Sequence, residues 1–309
     1  MDIKPSTLVL VALLGLLACE SQSQNKKSKP AKSYSNQFAS YWFQGKAELN
    51  SYELTQPRYG ELRQGEAVLI FVTEDFSESK QVKLDDPSSN TKDAVKVLKL
   101  NRTRKFNTGV YPYSMMESVF TPLDRNNYQN SLKVTTSSQE WCGHTFSQLN
   151  LDGNQFNFSG KSYFESEGDE ETNVKNALLE SELMNIIRLD NANIPVGEIE
   201  IIPSGFFSRL THQELGVLKA NASIIETKQD SKILDLSYLE VERNVKIEFS
   251  REFPFEILGW EETYKSGFGK EAKLMTTKAL KKKTILLDYW TKNHVKDSTY
   301  RNELMLDGN

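Results

Sequence analysis

The chain of 309 residues is poor in the side chains that carry metal and nucleophilic chemistry, because it has three histidines and two cysteines. No two histidines have the His-x-His or His-x-x-x-His spacing of a metal site. The chain also lacks a Gly-x-Ser-x-Gly nucleophile elbow, a Walker phosphate-binding loop and a dinucleotide-binding fingerprint. We therefore expect no metal site and no cofactor, and the missing motifs favour a binding or interaction protein over an enzyme.

An excess of positive charge is also absent. The chain has 38 lysines and arginines against 42 aspartates and glutamates, a formal net charge of −4. Proteins that bind nucleic acid usually present a basic patch or stripe. We therefore expect no nucleic-acid partner, and the content of 38% hydrophobic and 26% charged residues is ordinary for a globular body.

A short apolar segment covers residues 8–17 and follows Lys4. It is too short to span a bilayer, and its length and charge are typical of a secretory signal peptide. It ends in Leu16-Leu17-Ala18-Cys19, which resembles the lipobox of bacterial lipoproteins. The resemblance implies cleavage after Ala18, a diacylglyceryl group on the Cys19 sulfur and a further acyl chain, such as palmitate, on the new amino terminus. The alternative is an ordinary signal peptide beside an unmodified cysteine.

Such processing divides the chain into a cleaved signal peptide at 1–18, a lipidated cysteine with a flexible polar tether at 19–37, and a β-rich body at 38–309. The protein would be held in the bacterial cell envelope by the acyl chains on Cys19. Glu20 and Ser21 are not the aspartate that retains some lipoproteins at the inner membrane, so we expect the outer membrane, facing the periplasm. With Cys19 attached to lipid, Cys142 has no partner for an intramolecular disulfide.

The body has mostly strand-like patterns, with apolar runs or alternation at residues 47–54, 66–73, 95–100 and 244–249. Alternation with one apolar face favours an antiparallel sheet. We predict a mainly β, α+β fold with a large curved antiparallel sheet or half-barrel. One long helix is predicted near residues 173–189, where apolar residues recur at three- and four-residue spacing. The change of period near 166–195 leaves open whether two halves meet there.

The sharpest local pattern is Glu140-Trp141-Cys142-Gly143-His144. On a continuous strand, Glu140, Cys142 and His144 would share one face and could serve as orienting group, nucleophile and base, or as zinc ligands. Side chains two apart on a strand lie about 6.5–7 Å apart, which disfavours direct hydrogen bonds between them. The alternative is a packed cysteine beside a hydrogen-bonded histidine.

A basic segment followed by aromatic residues is the candidate ligand-binding site. Its cations and rings suit an anionic glycan, a phosphate or a lipid head group. The alternative is a solvated sheet edge, where lysine and arginine prevent association between sheets. The residues of this segment are Lys99, Arg102, Arg104, Lys105, Tyr111 and Tyr113.

Five runs, at residues 41–48, 65–74, 105–114, 139–144 and 259–263, resemble a family of uncharacterised bacterial cell-envelope lipoproteins. The resemblance covers most of the mature chain and implies no established activity, although the name septum formation inhibitor Maf is sometimes attached to the family. Maf proteins themselves are cytoplasmic nucleotide pyrophosphatases with an α/β fold and a Ser-x-Ser-Pro-Arg-Arg motif, and this chain has no Ser-Pro-Arg-Arg. A weaker similarity, of fold only, is to half-barrel lipid and lipoprotein carriers.

The sequence thus predicts a membrane-anchored envelope lipoprotein that binds an amphiphilic ligand or an envelope protein on the concave side of its sheet. A hydrolase that uses Cys142 and His144 or a metal is the alternative. A Maf-like nucleotide pyrophosphatase is the last of the three hypotheses.

Overall fold

The computed structural model describes residues 34–89 and 91–306, which belong to one compact unit. The predicted signal peptide, the lipidation site Cys19 and most of the predicted tether lie outside these residues. Among the helices of the described part, none combines the length and the apolar character that crossing a membrane requires.

The described residues form fifteen strands, four α-helices and short 3₁₀ turns. The strands are β1 (Ala47–Arg58), β2 (Glu61–Ser77), β3 (Ala94–Thr108), β4 (Tyr111–Pro122), β5 (Lys133–Glu140), β6 (Gly143–Asp152), β7 (Gln155–Ser162), β8 (Asp169–Lys175), β9 (Leu178–Leu179), β10 (Gly197–Ile202), β11 (Leu218–Glu226), β12 (Ser231–Tyr238), β13 (Asn244–Ser250), β14 (Ile257–Ser266) and β15 (Lys273–Leu287). The helices are α1 (Asn36–Trp42), α2 (Leu183–Asp190), α3 (Gly205–Thr211) and α4 (Thr299–Glu303).

All fifteen strands belong to one sheet, in the order β8-β7-β6-β5-β4-β3-β2-β1-β15-β14-β13-β12-β11-β10-β9. Neighbours are antiparallel except β9 and β10, which are parallel. β1 and β15 pair in the middle, with a first wing of β1–β8 on one side and a second wing of β9–β15 on the other. With 54% strand and 16% helix, the structure confirms the predicted mainly β fold with a large, open, curved antiparallel sheet.

Strand alternation gives the sheet an inner face that packs against the main core and an outer face that is exposed along strands such as β4. In β4, Tyr113, Met115 and Val119 are buried, whereas Ser114 and Met116 between them are exposed. This is the period of two expected when one face of a pleated sheet covers a core. The main apolar core lies on the inner face, where both wings meet the helical segments.

The segment that contains α2 contacts both wings. Asn185 Nδ2 donates to the carbonyl of Leu98 in β3 at 3.1 Å and to the Thr121 hydroxyl in β4 at 2.8 Å. On the other side, the Glu180 carboxylate accepts hydrogen bonds from Tyr238 and Arg243 of the second wing. Because one short segment contacts both wings, the sheet must curve around it.

The predicted long helix at 173–189 is correct only in its second half. α2 begins at Leu183, whereas Val174 lies in β8 and residues 178–179 form β9. Val174 is buried opposite Phe156 of β7, so the first part of the apolar stripe reaches the core from a strand. Pairing with the open edge of β7 supplies backbone hydrogen bonds that a local helix would otherwise provide.

A buried ion pair joins α2 to the middle of the sheet. Arg188 donates to both carboxylate oxygens of Glu48 in β1, at 2.6 Å from Nη1 to Oε1, and its Nε donates to the Pro254 carbonyl at 2.7 Å. Tyr41 and Asn50 also donate to Glu48. Burial raises the pKa of the Glu48 carboxyl, but Arg188 and these hydrogen bonds outweigh that effect and hold the pKa below its usual value.

The C-terminal segment covers part of the outer face. Leu304 and Leu306 pack with Leu49 and Val72 in a second, smaller apolar cluster. The Ser51 hydroxyl in β1 donates to the carbonyl of Leu304. The end of the described chain is therefore a packed part of the body.

Alternate hairpins place their loops at the same end of the sheet, which we call the upper rim. It carries the β1–β2, β3–β4, β5–β6, β7–β8, β12–β13 and β14–β15 loops, and α3 lies there because it connects β10 to β11. α1 precedes β1 at the opposite end. The hairpins of the upper rim and α3 contain the candidate functional site.

Candidate functional site between α3 and the first wing

A hairpin turn separates the three catalytic candidates. β5 ends at Glu140 and β6 begins at Gly143, with Cys142 in the turn. Glu140 lies opposite Gly143, and Gln139 lies opposite His144, so the side chains of Glu140 and His144 leave opposite faces of the sheet. The predicted shared face of Glu140, Cys142 and His144 is therefore wrong, because it required a continuous strand through the turn.

The Cys142 thiol is free and exposed. The Glu140 carboxylate accepts a hydrogen bond from the Cys142 backbone N–H at 2.7 Å, and its hydrogen bond and negative charge raise the pKa of the thiol. A raised pKa keeps the sulfur protonated, whereas a nucleophilic cysteine needs the thiolate. The described residues contain no group of three or more His, Cys, Asp or Glu side chains that could hold a metal ion. This geometry gives the hydrolase alternative no support.

The basic segment 99–105 lies in β3, an interior strand between β2 and β4. The sheet-edge interpretation of these residues is therefore wrong. Alternation sends Arg102 and Arg104 to the buried inner face and Lys99 and Lys105 to the outer face. Lys99 Nζ pairs there with Glu74 at 2.8 Å.

The two buried arginines are held in ion pairs. Arg104 donates to Glu262 of β14, and Arg102 donates to Glu117 of β4. Glu117 also accepts from the backbone N–H of Gly205 at 3.2 Å. These contacts join the two wings and the start of α3, so Arg102 and Arg104 stabilise the fold.

The remaining three residues of the segment do not form one surface. The Tyr113 hydroxyl is buried and accepts hydrogen bonds from Arg58, whereas Tyr111 is partly exposed and donates to Tyr59 at 3.2 Å. Lys105 lines an open hollow of about 800 Å³ with Glu66 and Lys282. The predicted cationic and aromatic surface is therefore divided between two faces and the rim.

A groove of about 460 Å³ lies between α3 and the inner face of β5–β8. Its sheet wall is lined by hydroxyl groups, by Phe146 and Phe158 and by Lys161, and its helix wall carries polar side chains of α3. The sheet wall includes Thr136, Thr145, Ser147, Phe158 and Ser162, and the helix wall includes Ser208, Arg209 and His212. A glycine allows the two walls to meet, since a Cβ at Gly205 would lie 2.2 Å from the Thr136 hydroxyl oxygen.

Arg209 is the buried cation of the groove; its guanidinium lies 4.6 Å from the centroid of the Phe164 ring, and its Nη1 lies 3.4 Å from His212 Nδ1. Its Nη1 donates to Glu167 at 3.3 Å, whereas its Nη2 lies 3.9 Å from Glu140, beyond hydrogen-bond distance. Its Nε has no hydrogen-bond partner, although the residue is only 8% exposed. The buried Ser208 hydroxyl also has no partner. Unsatisfied buried donors are costly.

Glu167 links the β7–β8 loop to α3. It accepts from Ser162 at 2.8 Å and lies 2.7 Å from His212 Nδ1, in addition to its contact with Arg209. Burial raises the pKa of Glu167, but the hydrogen bonds from Ser162 and His212 and the charge of Arg209 outweigh burial and lower the pKa. Glu167 is therefore a carboxylate at neutral pH and keeps the loop against the helix.

A row of rings borders the groove at the upper rim. The His212 ring lies 6.5 Å from Phe164 and 5.9 Å from Phe268, and Phe268 lies 6.1 Å from Tyr59, measured between ring centroids. Phe268 is 61% exposed and Tyr163, next to Phe164, is 73% exposed. The site thus combines a polar groove with an adjacent apolar surface.

Sequence reasoning missed this site. His212 was an isolated histidine, and α3 has only seven residues, too few for a clear helical period. The one local signal is Ser204, whose hydroxyl caps the helix by accepting from the Phe207 N–H at 3.4 Å. Glu140, Glu167 and Arg209 meet only through the fold.

Comparisons with protein-family models, curated proteins and solved structures gave no match for this chain.

Proposed function

We propose that this protein is a lipid-anchored, non-catalytic protein of the bacterial cell envelope that binds an amphiphilic ligand in the groove between α3 and β5–β8. The observation that carries the proposal is the juxtaposition of a hydroxyl-lined groove of about 460 Å³ with an exposed row of rings at its border. A polar head group fits the first part, and an apolar chain fits the second.

The space beneath α2 is not the binding site in this proposal. Leu183, Ile186 and Ile187 of the helix are each at most 3% exposed, and Arg188 fills the adjoining space with its ion pair to Glu48. A ligand in that space would have to displace packed side chains. The groove beside α3 requires no such displacement.

The membrane attachment in this proposal rests on the lipobox-like Leu16-Leu17-Ala18-Cys19. Mass spectrometry of the protein isolated from membranes tests it by measuring the mass of the N-terminal peptide. We expect a diacylglyceryl group and a further acyl chain on Cys19, and release of a Cys19→Ser variant from the membrane. An unmodified Cys19 in the membrane-isolated protein would contradict this part.

The ligand part is tested by native isolation with mass spectrometry of co-purifying lipids. Ser147→Trp fills the groove from its sheet wall, and Gln148→Trp adds the same ring on the opposite face of β6. We expect wild type and Gln148→Trp to retain the same amphiphile and Ser147→Trp to lose it. Equal retention by both variants would place the ligand elsewhere.

An envelope protein partner is the second candidate, favoured by side chains at two hairpin tips of the upper rim. Val110 is 81% exposed and Trp141 is 70% exposed, and exposed apolar groups of this kind are common at protein interfaces. A photocrosslinking amino acid at Val110 tests this candidate in cells. A crosslinked protein species of defined mass would support a protein partner. Crosslinking to lipid without any crosslinked protein would favour the amphiphile alone.

A further inference from the structure

The helix wall of the groove presents hydrogen-bond donors that need an acceptor on the ligand. Arg209 Nε and the Ser208 hydroxyl are buried donors without partners, and both side chains line the groove. Both atoms are covered by their neighbours, so each side chain has to rotate slightly toward the groove before it donates to an acceptor oxygen of a ligand. A ligand without such an oxygen would leave these donors unsatisfied.

The charges around the groove argue against an anionic ligand. Two carboxylates already face the Arg209 guanidinium, Glu167 at 3.3 Å and Glu140 at 3.9 Å. Asp169, Glu170 and Glu214 also line the groove, and its one other lysine or arginine, Lys161, lies 3.8 Å from Asp169 and 2.9 Å from Glu171. A phosphate or carboxylate on the ligand would be repelled by these groups, since Arg209 is already balanced.

The hydroxyl groups of the sheet wall also restrict the kind of head group that fits the groove. Thr145 and Ser147 extend along β6 into the groove, and each hydroxyl can both donate and accept. Such groups pair well with hydroxyl and ester oxygens. Phe146 and Phe158 add apolar contacts at the same wall.

We infer that the ligand has an uncharged head group rich in acceptor oxygens, such as a glycerol ester or a sugar, with an ester or ring oxygen bound by Arg209 Nε and Ser208 Oγ. This inference rests on the proposed function and names the class of its ligand. The apolar chain lies along the row of rings formed by Phe164, Phe268 and Tyr59.

The test uses three amphiphiles of equal chain length below their micelle concentrations: decanoyl glycerol, decanoate and decyltrimethylammonium. Binding to the purified full chain is measured by titration calorimetry. We expect decanoyl glycerol to bind at least tenfold more tightly than the two charged compounds. Binding of decanoate or the cation as tight as that of decanoyl glycerol would overturn the head-group inference and leave the proposed function intact. Failure of all three to bind would overturn both.

Two variants test the assigned donors. Ser208→Ala removes one unpartnered donor, and Arg209→Lys keeps the charge but removes the Nε donor. We expect each to weaken decanoyl glycerol binding about threefold to tenfold, the usual effect of one lost hydrogen bond. Ser159→Ala is the matched control because Ser159 lies on the outer face of β7 and donates to Glu171. Circular dichroism confirms that each variant is folded, and unchanged binding by folded Ser208→Ala and Arg209→Lys would overturn the assignment of these donors.

Discussion

Removing Arg188 is expected to destabilise the protein strongly and in a pH-dependent way. Arg188 and Glu48 have side chains with 0% exposure, and their ion pair joins α2 to the middle of the sheet. An Arg188→Met substitution keeps the apolar stem but leaves Glu48 buried with only Tyr41 and Asn50 as partners. Breaking a buried pair from one side costs about 3–5 kcal/mol. At about 2 °C per kcal/mol for a chain of this size, we expect Tm to fall by about 6–10 °C.

The pH dependence follows from the pKa of Glu48. In wild type that pKa lies below its usual value, so the carboxylate contributes stability above the unfolded-state pKa of about 4.3, and this stability is lost as pH falls through the folded-state pKa. Without Arg188, burial dominates and raises the pKa of Glu48, so the variant loses stability as pH rises above about 4.3. The difference between wild type and variant should therefore grow from pH 4 to pH 7.

Urea unfolding at several pH values measures this difference. A Glu48→Gln/Arg188→Met double variant removes the buried charge, and we expect it to regain roughly half of the lost stability at pH 7. A loss below about 1 kcal/mol, a loss independent of pH, or a double variant less stable than Arg188→Met would refute the reasoning.

Three further predictions concern other sites. Burial raises the pKa of Glu182 despite the charge of Arg125 and the hydrogen bonds to its carboxylate, so Glu182 reduces the stability of the fold as pH rises above about 4.3. In urea unfolding, the stability of Glu182→Gln relative to wild type should therefore increase from pH 4 to pH 7. A difference that does not change with pH would contradict this. Gly205→Ala should lower the free energy of unfolding by about 1–3 kcal/mol, because the added methyl group overpacks against Thr136. Gly216→Ala should be near neutral, because no atom lies within 4 Å of its added Cβ. Equal effects of the two substitutions on Tm would argue against the close approach of Gly205 to Thr136. Cys142 should react with a thiol reagent at pH 7 more slowly than free cysteine, because Glu140 raises the pKa of its thiol. The Glu140→Gln substitution should accelerate the reaction. A slower reaction in that variant would show that Glu140 does not raise the pKa of the thiol.

The alternation of β-strands is the part of the fold that local sequence determines. Each strand must present apolar residues to one face, so β4 shows the period of two directly, with Met115 and Val119 inward and Ser114 and Met116 outward. The helix α2 is also determined locally, because Leu183, Ile186 and Ile187 follow a helical period. The mainly antiparallel class of the fold follows from these patterns.

Local periodicity fails where a pattern specifies burial but not conformation. Val174 and Leu179 are buried as expected, yet they reach the core from strands because neighbouring strands supply their backbone hydrogen bonds. The turn at Trp141 and Cys142 is a second case, since a continuous strand and a tight hairpin fit the same five residues. In both cases the pairing of distant segments decides the structure.

Composition and missing motifs give only expectations about function, namely that the protein binds no nucleic acid through a basic patch and does not act through a known nucleophile or nucleotide motif. The candidate site is decided by tertiary structure alone. Arg209, Glu167 and Glu140 come from three separate segments, and they meet because the sheet curves and α3 lies across its inner face. No local period can encode that meeting, because it depends on the register of strands that are far apart in the chain.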